Sequence, residues 1–208
     1  MMPTFDHSLF LSLNFDGGPA MDRLMLLLSG KATWVPLYLL ILWLLYRRDG
    51  WRGVALFLGL AAMAVVLTDM AAGIFKHTGL LKNCLPDFQP RLRPMYTPEL
   101  GGLVHVVKLG GRYGTVSAHA ATTCSVALLA SLILKDGRFS ALMVLWTLAV
   151  CYSRIYLAYH FPLDILYGLV LGALIALGAL PVYRRFAAAP TAPSTSSPSE
   201  MKKSGNRN

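Results

Sequence analysis

The chain has 208 residues, of which 55% are hydrophobic and only 14% charged, and it carries a formal net charge of +9 at pH 7. Soluble domains carry about 25% charged residues, so the composition excludes an ordinary soluble domain and describes an integral membrane protein, read as one domain. The basic residues lie in short loops between apolar runs and in the tail rather than in a surface stripe, which argues against a nucleic-acid partner and for membrane topology.

Residues 5–28 hold two short apolar pieces, 10–15 and 24–28, split by Asp16-Gly17-Gly18-Pro19. Neither reaches the roughly 20 residues a span requires, so residues 1–31 are expected to form helices lying at the membrane interface. The first residues lack a basic segment and an adequate apolar core, so no cleavable signal peptide is read there. The first span is expected over about 32–46, ending at Arg47-Arg48-Asp49-Gly50, and a second over 53–75. The second contains Asp69, two helical turns before Lys76, so both are expected on one face toward the protein interior.

Residues 77–115 form the single long polar connection, rich in Pro, Gly and the basic residues Lys82, Arg91, Arg93, Lys108 and Arg112. Connections of that length are functional or disordered. A third apolar helix is expected over 116–134, a fourth over 139–157 and a fifth over 162–183. The Pro/Ser/Thr/Ala tail, 186–208, has too little apolar content to bury a core and reads as disordered. Cys84, Cys124 and Cys151 lack metal-ligand spacing; the latter two read as small hydrophobes and Cys84 as a thiol in the loop.

The fold class is therefore an all-α polytopic membrane bundle of five spans, with 32–185 as its membrane domain; a sixth span before residue 32 would move only the N-terminus. Five spans place loop 77–115 and the corner at 155–161 on one side. Arg47, Arg48, Arg52, Lys135, Arg138, Arg184, Arg185 and the basic tail fall on the other, which is then the cytoplasm. The expected location is the inner (plasma) membrane, with the long loop extracytoplasmic and the C-terminus cytoplasmic.

Residues 153–164, SRIYLAYHFPLD, place an arginine, a histidine and an aspartate between two strongly apolar runs. Charges at membrane depth cost several kcal/mol and are kept for sites in the protein interior. Pro162 suits the first position of a helix, which puts His160 at its mouth and Asp164 about a turn inside, close enough to hydrogen-bond one imidazole nitrogen and leave the other to act. Beside this stands a plainer reading, a helix corner with a snorkelling arginine and a capping histidine. Three pieces share this membrane face: Lys76 with the Arg91/Arg93 loop, Ser117 to His119 at a helix start, and Arg154 with His160 and Asp164. Fixed cations, a hydroxyl, helix N-terminal N–H groups and two histidines suit a tetrahedral oxyanion. One histidine can attack phosphorus while the other protonates the leaving oxygen, and the fixed positive charge makes a metal or other cofactor unnecessary.

These residues resemble the signature of the type 2 phosphatidic acid phosphatase superfamily, which shares its pocket with the vanadium haloperoxidases. Its third part is intact as Ser153-Arg154, five residues, His160, three residues, Asp164. The second part, Pro-Ser-Gly-His in the family, stands here as Val116-Ser117-Ala118-His119. The first part ends in Arg93-Pro94, but the position where the family has its lysine is Pro86, so Lys76 or Lys82 is the counterpart. The resemblance covers about residues 68–172 and implies a nucleophilic His160 that forms a phosphohistidine, oriented by Asp164. His119 is implied as general acid and then base, and Lys76, Arg93, Ser117, the Ala118 N–H and Arg154 as the phosphate-binding groups. The implied activity is hydrolysis of a bilayer-held phosphate monoester or diphosphate: undecaprenyl diphosphate, phosphatidylglycerol phosphate, phosphatidic acid or a lipid A phosphate. A phosphotransferase using the same histidine, or a non-catalytic binder or transporter of lipid phosphate, are the alternatives. The oligomeric state is left open. His77 and His105 read as interfacial or loop residues, Tyr152, Tyr156, Tyr159, Trp34 and Trp51 as an aromatic belt, and Arg91, Lys108 and Arg112 as headgroup-steering or solvated charges.

Overall fold

The computed structural model describes residues 5–76 and 89–187. Its helices are α1 (Phe5–Leu13), α2 (Gly18–Ser29), α3 (Val35–Lys76), α4 (Ala118–Leu134), α5 (Gly137–Tyr156) and α6 (Pro162–Ala187), and no strand occurs among the described residues apart from one isolated bridge. Lys82, Cys84 and His77, the side chain of Lys76 and the tail beyond residue 187 lie outside the described residues.

The first two expected spans are both in α3, whose 42 residues are about twice what a bilayer core requires. Gly50 breaks it with φ 65° and ψ −164°, a backbone that glycine adopts without a Cβ penalty. Tyr38 and Val65 line one cavity, yet on a continuous helix positions 38 and 65 would be about 40 Å apart. The two arms therefore fold back on each other at Gly50, and Ile41 and Leu45 of the first share a core with Val54, Phe57 and Leu60 of the second. The charged turn is tied down: Tyr183 of α6 donates to Asp49 at 2.8 Å, and Arg48 donates to the Ile133 carbonyl.

Stretches 32–75, 137–156 and 162–187 are long and apolar enough to cross a membrane, and α4 is a shorter apolar helix. Their outward faces are apolar, with Leu145, Leu148, Val170 and Leu174 more than half exposed, as lipid-facing surfaces are. Between α4 and α5 the chain turns in two residues. Lys135 takes the left-handed conformation at φ 54°, and the Asp136 carboxylate caps α5 by accepting from Phe139 N at 2.7 Å.

The tightest helix pair is α4 with α6, because α6 carries glycine where α4 crosses it. A Cβ at Gly168 would lie 2.6 Å from the Ser117 carbonyl oxygen and one at Gly172 2.3 Å from that of Ala121. Small residues four apart let two backbones approach closely, and here that approach sets the start of α4 beside the start of α6. The N-terminal helices begin before the short apolar pieces 10–15 and 24–28 that they contain or overlap, and they pack one face on the corner between α5 and α6. Phe10 joins Ile155 and Phe161, Met25 joins Tyr156 and Leu157, and Asn14 donates to the Tyr156 carbonyl at 2.7 Å.

Gly172→Leu is expected to lower thermal stability in detergent by about 1–3 kcal/mol, the usual cost of overpacking. Gly178→Ala, where a Cβ meets nothing within 4 Å, should leave the melting temperature unchanged; equal melting of both variants would refute the close α4–α6 contact.

Candidate active site

The C-terminus of α5 builds the corner. Tyr159 N donates to the Arg154 carbonyl at 3.0 Å and Ala158 N to that of Ile155 at 2.9 Å, with Ala158 at φ 56°. That is the hydrogen-bond pattern of a Schellman motif, with alanine in the left-handed position where glycine is usual. His160 N reaches the same Arg154 carbonyl at 3.3 Å, so the backbone of one residue holds the turn whose side chains follow.

His160 is 2% exposed. Its Nδ1 lies 3.0 Å from the Gly114 carbonyl and 3.7 Å from Asp164 Oδ2. The first is a hydrogen bond and the second is beyond that range. A carbonyl only accepts, so Nδ1 carries the proton and the lone pair belongs to Nε2. The expected Asp164–imidazole bond is thus replaced by a bond to the loop, with the carboxylate beside it.

Asp164 is occupied because it caps its own helix. As the third residue of α6 its Oδ2 accepts from Phe161 N at 3.0 Å, reaching back over the first turn as a capping-box acid does. Its Oδ1 lies 3.4 Å from Arg91 Nη1, and its main-chain carbonyl accepts from Ser117 N at 3.1 Å. Arg91, read as a steering or solvated charge, is instead built into this cluster. Its Nη2 ion-pairs with Asp6 of α1, and its guanidinium carbon lies 4.0 Å from the Phe161 ring centre.

Arg91 and Arg93 flank Leu92, which is bridged to Tyr113, and two ladder bonds fix this pairing: Arg93 N to the Arg112 carbonyl and Gly114 N to the Arg91 carbonyl, both 3.0 Å. In extended backbone, residues two apart point to one side. The Arg93 guanidinium donates from Nε to the Tyr113 carbonyl at 3.1 Å, and burial lowers its pKa from the ordinary arginine value. Arg93 and Arg154 both lie against the Tyr159 ring, at 5.5 and 4.2 Å. Gly110 makes room for them, since a Cβ there would be 2.4 Å from Arg93 Nη1 and 2.7 Å from Tyr159. Arg154 is 8% exposed. One of its terminal nitrogens bonds Ser29, while its Nε is buried without a hydrogen-bond partner among the described residues. Arg93, Arg154, Lys108 and Tyr159 line a cavity of about 290 Å³ that also touches Ser29 and Gly30.

At the start of α4, Ser117 is fully buried and its hydroxyl oxygen accepts from Ala120 N at 3.3 Å, capping the helix. Ala118 and His119 are half-buried and line a second cavity of about 400 Å³. Its walls are apolar side chains of α3, α4 and α5, among them Phe57, Val126 and Trp146, and it too touches Ser29 and Gly30. The cationic cavity and the apolar one thus share a wall at the end of α2.

Three expectations change. Asp69 does not point into the protein core; it is exposed and lines the larger cavity. Tyr156 and Tyr159 do not form an interfacial belt, being 0% and 8% exposed, because Tyr156 donates to Asp22 at 2.7 Å and Tyr159 carries the arginines. Trp51 is 73% exposed. His105 is more than a loop residue, since its Nε2 is 2.9 Å from Asp22 and its N–H donates to Asn14; the bonds from His105 and Tyr156 lower the Asp22 pKa. Asp6, Asn14 and the glycines 110 and 114 went unread in the sequence. An acid four residues before the first apolar piece, and Arg91 in register with Arg93, were the available signals.

The geometry defines a class: a polytopic helical protein in which Arg93 and Arg154 line a cationic cavity at the helix ends, His119 lines the apolar cavity beside it, and His160, the residue after Tyr159 of the cavity wall, is buried next to Asp164. Residues 61–187 match the family model of the PAP2 superfamily. The chain is 30% identical over 171 residues to the lipid A 4'-phosphatase of Bacteroides thetaiotaomicron, covering 80% of this chain and 72% of that protein. It is 29% identical over 182 residues to the lipid A 4'-phosphatase of Porphyromonas gingivalis, covering 86% and 72%. Its fold matches the crystal structure of a transmembrane PAP2 type phosphatidylglycerolphosphate phosphatase from Bacillus subtilis with a TM-score of 0.61, over 86% of this chain and 85% of that one, at 17% identity. The chain belongs to the PAP2 superfamily, the type 2 phosphatidic acid phosphatases.

Removing one partner of a buried ion pair costs about 3–5 kcal/mol. Arg91→Ala, which strands Asp6 and Asp164, is therefore expected to lower the melting temperature far more than Arg112→Ala, whose side chain is exposed. Equal melting of the two variants would show that Arg91 is a solvated loop charge.

Proposed function

We propose that the protein is an integral membrane lipid phosphatase that hydrolyses a phosphate monoester or diphosphate of a bilayer-held lipid through a phosphohistidine. The observation that carries this is the Arg154 guanidinium, buried with Nε unpaired among the described residues, at a cationic cavity that shares a wall with an apolar one. A buried donor left unpaired costs about 1–3 kcal/mol, and a phosphate oxygen supplies the missing acceptor while the hydrocarbon enters the apolar space. The likeness to two lipid A 4'-phosphatases favours a lipid A phosphate among the candidates.

In the proposed reaction His160 Nε2 forms a bond to phosphorus as the bond to the leaving oxygen breaks, and His119 gives that oxygen its proton. Water then attacks the phosphorus, His119 takes a proton from it, and the N–P bond breaks to release phosphate and neutral imidazole. Arg93 and Arg154, on Tyr159, hold the phosphate oxygens, with Ala118 N–H at the start of α4 and Lys76 or Lys82 as further contacts. Ser117 acts by capping α4. Asp164 and the Gly114 carbonyl fix the ring. The cations offset the charge that builds on the oxygens, so the reaction is proposed to run without metal.

Purified protein should release phosphate in EDTA from at least one of lipid A, phosphatidic acid, phosphatidylglycerol phosphate and undecaprenyl diphosphate. His160→Ala should release none, and His119→Ala should be slower by about 10²–10⁴-fold. Dependence on added divalent metal, or wild-type activity in His160→Ala, would sink the mechanism. Unequal losses in Lys76→Ala and Lys82→Ala assign the first-part lysine.

The site is proposed to face the extracytoplasmic side of the inner membrane, from the loop charges. With Cys84 replaced, Leu109→Cys, at a position 72% exposed, should react with an impermeant maleimide in spheroplasts and Arg138→Cys should not. The reverse labelling would invert the topology.

A further inference from the structure

We propose that Asp6, on the N-terminal helix, is a positioning residue for His160: through Arg91 it keeps the negative charge of Asp164 available to the imidazole. This rests on the phosphohistidine reading. Asp6 is 5% exposed, and a buried carboxylate carries a desolvation penalty that an interfacial anchor helix has no need to bear. Both of its oxygens are committed to the catalytic corner. Oδ1 accepts from Leu163 N at 3.0 Å, satisfying an orphan N–H in the first turn of α6, and Oδ2 ion-pairs with Arg91. Arg91 passes the contact to Asp164 at 3.4 Å, and Asp164 Oδ2 stands 3.7 Å from His160 Nδ1.

Charge therefore alternates along Asp6, Arg91 and Asp164 toward His160. With Asp6 ionised, the Arg91 cation is shared between two carboxylates and the trio carries a net −1. That charge complements the positive charge that develops on the ring as the N–P bond forms. With Asp6 neutral, Arg91 is matched by Asp164 alone, the trio sums to zero, and the phosphorylated ring loses its counter-charge. The rest of α1 keeps this chain in register. The Phe161 ring lies against Arg91, stacks on His7 at 4.8 Å and meets the edge of Phe10 at 5.3 Å. None of these α1 residues falls in the stretch matched by the family model, 61–187.

The test uses inorganic phosphate, so that lipid identity plays no part. Full-length protein in detergent is given phosphate labelled with ¹⁸O, and loss of label to water is followed by ³¹P NMR; each exchange event makes and breaks the N–P bond. Asp6→Asn should exchange about 10–100-fold more slowly per folded molecule, with half-saturating phosphate within about twofold of wild type. Asp6→Glu should recover most of the rate. Should Asp6→Asn fail to fold, Asp6→Ser, which also removes the charge, carries the same expectation. A purely structural Asp6 would lower the folded fraction while each folded molecule exchanged at the wild-type rate, and that result overturns the inference. Wild type that exchanges nothing overturns the phosphohistidine reading and this inference with it, and is recognised without any variant.

Discussion

A carboxylate with no exposure to solvent joins four parts of the chain at Asp164. Its side chain caps α6 and meets Arg91 from the loop, Arg91 reaches Asp6 of α1, and its main-chain carbonyl takes the first N–H before α4. Such a group is tolerable only when every acceptor direction is filled. The requirement couples the segments: loop, N-terminal helix and both helix starts must be in place together. The close packing of α4 on α6 at Gly168 and Gly172 brings the two starts within reach, and the left-handed Ala158 turns the chain sharply enough for His160 to enter the same space.

The cavities explain why phosphate and hydrocarbon fit one protein. Arginines spread on Tyr159 give a cationic chamber at the end of the bundle, and the two arms of α3 open an apolar one beside it. Both touch Ser29 and Gly30, so the end of α2 lies between the cationic cavity and the apolar one. His119 lines the apolar chamber. Reading α1 and α2 as peripheral anchors misses this placement.

Apolar runs and charged punctuation made the helices legible, because a run that ends at a cluster of basic residues leaves few alternatives to a span. The arms of α3 and the bounds of α4 to α6 follow that pattern, and the spacing of Arg154, His160 and Asp164 already implied a corner with its acid one turn inside. Contacts made across long sequence separations were not legible. Asp6 meets Leu163, Asn14 meets Tyr156, and Gly114 takes the His160 ring; periodicity carries no information about such partners. Arg91 was misread for the same reason, since a loop arginine looks solvated until its acids are located. Tyr156 and Tyr159 resembled belt residues because amphipathic rings near a membrane surface are usually there for the interface. Here their hydroxyl and π-face are used inside.

The central claim is that phosphorus becomes bonded to His160. Its most direct measurement is to mix the protein with phosphatidic acid or lipid A carrying ³²P in the phosphate, quench in alkali within the first turnover and map the label. The account predicts base-stable, acid-labile label on the peptide containing His160, absent when His160 is replaced by alanine. Label on another residue, or continued phosphate release by the His160→Ala protein, would contradict it.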